Sequence, residues 1–306
     1  MSAPPTEALK LRRLPWVVAH NAANSAFSQL TFFGPVFILF LDDLGLPKTR
    51  IGLLLSFLPF AGLLALFLAQ VVASGSPDLG PAAAWALGRS GAAGGVPALR
   101  AALASGYPLL RAQAARSLGG MGVRDSAAPI HALLRTEADP GLRAAYAAAL
   151  GQLGYAEAAP DLLACLRQSP PGPSRAEVAL AVARLVDMEA GFVGTWRRLE
   201  RGPGTALAQE AERLTRLCRR LGRRHEAWLR PRLQQVWERF AGGDLEEGAA
   251  ALAGVAAALP EERVPALPAL VLHEAAQGLQ IWGAGRLEYA LLALLGLRAV
   301  LAGTKP

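Results

Sequence analysis

The chain repeats itself with a period near 32 residues, and that period restricts it to folds in which like units stack on one another. Leu87-Gly88, Leu118-Gly119 and Leu150-Gly151 recur at spacings of 31 and 32. A second glycine follows three residues after the first, at Gly91, Gly122 and Gly154. Prolines come next at Pro97, Pro129 and Pro160, then leucines at Leu103, Leu134 and Leu166. Upstream of the Leu-Gly pairs, Arg111, Arg143 and Arg175 stand 32 apart, each followed directly by alanine and by another alanine three residues on.

One period reads as two helices. Proline at Pro108 or Pro140 opens the first, where a missing amide hydrogen costs nothing. Ala144, Ala147 and Leu150 then fall on one face at helical spacing, and alanine there lets backbones approach closely. Gly151 and Gly154 are expected to end the helix and turn the chain. Pro160 starts a second helix with Leu162, Leu163 and Leu166 on its apolar side. Such a pair buries little alone and gains stability by stacking, so the predicted body is an α-solenoid.

These units resemble HEAT repeats of the short bilin-lyase-like kind. The likeness is clearest in DPGLRAAYAAALGQLGYAEAAPDLLACL, residues 139–166, and extends over about 77–186. It implies that Asp139 and Arg143 act as interrepeat acid and base. The first unit has Gly80 where Arg111 and Arg143 stand, and the fourth keeps Arg175, Ala176, Ala179 and Val182 but replaces the glycine turn with Asp187 to Ala190. The resembled family includes chromophore lyases or isomerases and many adaptors, so the fold leaves the chemistry open. Arg111, Arg143 and Arg175 read either as a structural ladder or as a row of anion-binding donors.

The amino-terminal quarter has another character. Leu14 to Leu41 holds no acidic or basic side chain apart from His20, and Ile51 to Pro77 holds no ionisable side chain. A helix needs about 20 residues to cross a hydrocarbon core of about 30 Å, so a transmembrane helical hairpin is expected over 14–74. Its first span begins too late for a secretory signal. Asn21, Asn24, Ser28 and Thr31 form one polar stripe on that span, which calls for partner helices, a homo-oligomer or the headgroup region. Leu30–Leu41, the loop with Gly45 and Lys48, and Ile51–Gly52 with the leucine-rich run after them resemble the first two helices of a major facilitator superfamily transporter. Ser74 to Asp78 departs from the loop that follows the second helix in that family, and a lone hairpin encloses no translocation path. Lys10, Arg12 and Arg13 precede the first span, so the positive-inside tendency places the amino terminus and the solenoid in the cytoplasm, at an inner or plasma membrane.

The remaining chain adds charge. Only three lysines accompany 28 arginines, and Arg197 to Arg239 holds 12 arginines against five glutamates, a local +7 that equals the net charge of the whole chain. Leu214, Leu217 and Leu221 form one helical stripe there, and Arg213, Arg216, Arg220 and Arg224 form another beside it. The arginine stripe reads as a candidate contact for anionic lipid or an acidic protein, or as a simply solvated face. Nucleic acid is disfavoured, since no recognition helix, zinc finger or stacking module accompanies the charge.

The expected organisation is therefore all-α: a tail over 1–13, the membrane hairpin over 14–74, HEAT-like repeats over 75–190, an arginine-rich amphipathic region over 191–240, and degenerate helical repeats over 241–306 with Leu287 to Leu301 as a capping helix. Two cysteines cannot build a disulfide scaffold. Cys165 reads as a small apolar side chain, His131 has no motif tying it to Cys165, and His273 with Glu274 and Glu288 lacks metal spacing. No catalytic residue, cofactor or metal site is expected. The leading function is a membrane-anchored, non-catalytic scaffold for a protein partner. The alternatives are a regulatory subunit related to a transporter and, third, a chromophore lyase-like enzyme.

Overall fold

The computed structural model describes residues 65–199, 201–220, 223–259 and 266–303, nearly all within a compact unit that runs from Phe67 to Pro306. Every regular element among them is a helix. Four helical pairs come first: α1 (Gly80–Ser90) with α2 (Val96–Ala102), α3 (Pro108–Gly120) with α4 (Ala127–Thr136), α5 (Pro140–Leu153) with α6 (Ala159–Gln168), and α7 (Pro173–Leu185) with α8 (Glu189–Leu199). The first helices form a row, α1 against α3, α3 against α5 and α5 against α7. Behind it α2, α4 and α6 pack on α3, α5 and α7. Proline occupies the first or second position of α3, α5 and α6, as the sequence predicts, and of α1 and α7 as well.

The two glycines of each period divide the work. Gly91, Gly122 and Gly154 have φ of 64, 69 and 63° and turn the chain after α1, α3 and α5. Gly151, expected to end its helix, lies inside α5 instead. A Cβ placed on it would stand 2.7 Å from Ala181 Cα, and one on Gly119 would stand 2.8 Å from Ala149 Cα. Both glycines mark the closest approach of successive first helices. At the equivalent point between α1 and α3, beside Gly88, Ser117 Oγ donates to the Ala84 carbonyl at 2.8 Å. In the fourth unit the turn that lacks glycine keeps the same backbone: Asp187 takes φ 56°, a conformation that Asp reaches at modest cost because its short side chain bonds locally.

Five more helices follow: α9 (Pro203–Arg220), α10 (Arg223–Ala241), α11 (Leu245–Ala257), α12 (Ala266–Trp282) and α13 (Leu287–Gly303). Packing runs without a break across the expected boundaries at 190 and 240, α7 on α8, α8 on α9 and α10 on α11. The helix expected as a cap is a core element. α13 is buried continuously from Glu288 to Leu297, because α7, α8, α9, α11 and α12 all pack against it. A cap keeps one polar face, and Tyr289 to Leu297 offers none. Ion pairs with buried acids fasten this half to the repeats: Arg167 Nη1 donates to Glu274 Oε2 at 2.7 Å, and Arg175 Nε donates to Glu288 Oε1 at 3.0 Å.

Most of the proposed hairpin, up to residue 64 and including Asn21, Asn24, Ser28 and Thr31, lies outside the described residues. No helix among the described residues is long and apolar enough to cross a membrane.

Candidate partner-binding surface

The second helices of the first two units leave a groove of about 440 Å³ between α2 and α4. Leu103, Ala104, Pro129, Ala132 and Leu133 give it an apolar lining, and Arg100 and Asp125 stand at it as an ion pair of 3.1 Å. Ser126 also lines it, and its hydroxyl is buried without a hydrogen-bond partner. A buried polar group left unmade costs about 1–3 kcal/mol. One junction further along, α4 and α6 are bridged by side chains: His131 Nε2 lies 2.7 Å from Asp161 Oδ2, and the His131 ring meets Tyr155 edge-on at 5.7 Å.

The repeated arginines occupy one register position and reach different partners. Arg111 Nη1 donates to the Ser105 carbonyl at 2.8 Å, and its Nη2 lies 3.7 Å from Glu137. Arg143 Nη1 donates to Gln168 Oε1 at 2.8 Å. Glu137 and Gln168 follow or end the second helix of the same unit, so these two arginines clamp their own pair. Arg175 reaches further, to Glu288 of α13. The Nε atoms of Arg111 and Arg143 are buried without partners. Asp139, the acid of the resembled pattern, acts at the start of its own helix. Its Oδ1 accepts from Leu142 N at 2.8 Å and caps α5.

Buried polar side chains beside this ladder are held neutral. Burial pushes the Tyr146 phenol up, against the lowering influence of the adjacent Arg111 guanidinium. Burial likewise pushes the Cys165 thiol up, with Arg143 opposing. The Cys218 thiol is pushed up to about 11 by burial. His273 bonds Gln277 at 2.8 Å while Glu274 and Glu288 serve Arg167 and Arg175, so the three are not convergent ligands.

The arginine stripe is divided. α9 ends at Arg220 and α10 begins at Arg223, so Arg224 belongs to a different helix from Arg213 and Arg216. The side chains of Arg220 and Arg224 lie outside the described residues. Arg213 bonds Glu210 at 2.9 Å and Arg216 bonds Glu212 at 2.6 Å, with side chains 48 and 63% exposed. The apolar face of α9 is made by Leu207, Ala211, Leu214 and Cys218, all buried.

Two functional features escape a reading by period. Ser126 stands where the other units have Gly95 and Ala158, and a polar residue at an otherwise small buried position was its one signal. Glu210 falls on the apolar stripe of α9 between Leu207 and Leu214, where a carboxylate is out of place.

Residues 96–183 match the family model described as HEAT repeats, and residues 82–105 match the one described as PBS lyase HEAT-like repeat. No curated protein matches the chain. Both family matches lie downstream of residue 74. From residue 82 to 183 the chain thus carries HEAT-like repeats, in agreement with its stacked helical pairs.

Proposed function

We propose that this chain is a non-catalytic helical-repeat scaffold that seats a segment of a partner protein in the groove between α2 and α4. The observation that carries the reading is the groove itself. Its apolar lining would bury a side chain of the partner, and the exposed Arg100–Asp125 pair would fix polarity at the rim. Both cysteines are buried with their thiols pushed up, which leaves a lyase-like reading without a ready thiolate. In this proposal residues 14–74 tether the scaffold to an inner or plasma membrane, with the repeats on the cytoplasmic side. Their resemblance to transporter helices also supports the alternative, in which the hairpin joins other membrane helices and the repeats regulate them.

The test uses the full chain in native membranes, carrying a photo-crosslinking residue at Thr136, an exposed residue that also lines the groove. A defined partner should crosslink there, and Ala132→Trp, which fills the groove, should abolish capture without moving the unfolding midpoint. Undiminished capture by that variant would remove the groove from the proposal. Recovery of the chain in the soluble fraction after lysis without detergent would remove the tether.

A further inference from the structure

Three arginines from three helices converge on one fully buried carboxylate. Glu210 of α9 has a side chain 0% exposed. Its Oε2 accepts from Arg213 Nη1 at 2.9 Å and lies 3.8 Å from Arg198 Nη2 of α8, and its Oε1 accepts from Arg298 Nη1 of α13 at 3.3 Å. Arg198 Nη2 also donates to Thr195 Oγ1 at 2.8 Å, and Thr195 Oγ1 stands 3.5 Å from Glu210 Oε2. Among the described residues no second carboxylate pairs with these guanidiniums.

The charges do not balance. Guanidinium stays protonated at any ordinary pH, so three positive charges share one negative charge within a radius of about 4 Å. Like charges held that close repel, and partial burial weakens the screening that would relieve them. The donors are not used up either: each guanidinium carries five N–H bonds, and Arg198 Nε is buried with no partner. The three arginine side chains are 32, 48 and 43% exposed, so their free edges meet solvent around the closed carboxylate. Arg197 and Arg201, both exposed, add further positive charge along the chain.

We infer that Arg198, Arg213 and Arg298 form a binding site for a phosphate-type oxyanion, with Glu210 as the fixed counter-charge that gathers them. Planar guanidinium forks match the oxygens of a phosphate two at a time. The group comes either from free phosphate or from the headgroup of an anionic lipid, and both offer the same oxygens. This site lies in the carboxyl-terminal half, involves none of the groove residues, and stands or falls without them.

The experiment uses the full-length protein purified in a neutral detergent. Its unfolding midpoint is followed as chloride is replaced by inorganic phosphate at constant ionic strength, and binding is measured by calorimetry. Flotation with phosphatidylcholine vesicles, with and without phosphatidic acid, forms the second arm. Saturable stabilisation by phosphate is expected, and Arg213→Gln with Arg298→Gln should weaken binding at least about tenfold, the order of one charge-assisted hydrogen bond. Glu210→Gln should bind phosphate more tightly than the parent, because its removal adds one uncompensated positive charge. A cluster that only held the helices together would lose stability in that variant with no gain in affinity. If the variant fails to fold without phosphate, recovery of folding by phosphate supports the site. Response to phosphate alone assigns a soluble ligand, and flotation that needs both phosphatidic acid and the arginines assigns a lipid. Failure of both arms, or unchanged binding in the double arginine variant, overturns the inference.

Discussion

Glu288 accepts the Arg175 Nε hydrogen bond at 3.0 Å with both side chains buried, 6 and 7% exposed, and it joins the fourth repeat to the central helix of the carboxyl-terminal half. Arg111 and Arg143 bond Ser105 and Gln168 nearby in the chain, whereas this pair spans 113 positions. A buried pair gives little net stability over apolar residues of the same shape, but losing one partner strands a charge.

Glu288→Gln should therefore lower unfolding stability by about 3 kcal/mol, and Arg175→Ala should do the same. Replacing both by leucine should recover most of that loss. Denaturant midpoints of the three variants, compared at constant slope, check this.

The tight glycines give a second contrast. Gly151→Ala drives a Cβ to 2.7 Å from Ala181 Cα, backbone that cannot yield, and overpacking of this kind costs about 1–3 kcal/mol. Gly94→Ala meets nothing within 4 Å and should leave the thermal midpoint unmoved or slightly raised. Equal effects at both sites would refute the close helix approach.

Backbone conformation predicts a third. Gly154→Ala should cost about 1 kcal/mol, since φ of 63° penalises a Cβ. At Asp187 the order reverses: Asp187→Gly should be tolerated, while Asp187→Val should destabilise more than Gly154→Ala. Thermal unfolding of the three variants reads the order directly.

Alkaline titration supplies a fourth. Burial pushes the Tyr289 phenol up to about 12, from 10.0. The unfolded chain thus loses this proton first, so the contribution is complete below pH 10 and fades as pH rises towards 12. In that window the slope is up to about 1.4 kcal/mol per pH unit from this one group. Tyr289→Phe should flatten it, as measured by urea unfolding at graded pH.

The repeats were legible because their constraints are local and recur. Proline at helix starts, alanine between close helices and glycine at φ near 65° each leave a mark at fixed spacing. Asp187 hid in the fourth unit because Asp and Gly share one backbone region, which residue identity alone does not reveal. Beyond residue 190 the legible part shrinks. Glu274 and Glu288 look like ordinary surface acids on amphipathic helices, and their burial is decided by arginines up to 113 positions away. In α13 the nine uncharged residues between Glu288 and Arg298 fit a short terminal helix as well as a core one. The groove was missed since Leu103 and Leu133 differ little from the leucines of any unit; only Ser126 breaks the pattern.

The 113 positions between Arg175 and Glu288 also set an order of assembly. As the polypeptide leaves the ribosome, α1 to α6 can zip together unit by unit, each completed by its neighbour. α7 emerges with its buried guanidinium uncompensated, and it waits through the synthesis of five more helices before its acid arrives. Until then that face of the nascent stack presents an open, charged edge, and closing it is a single late event in the birth of the protein.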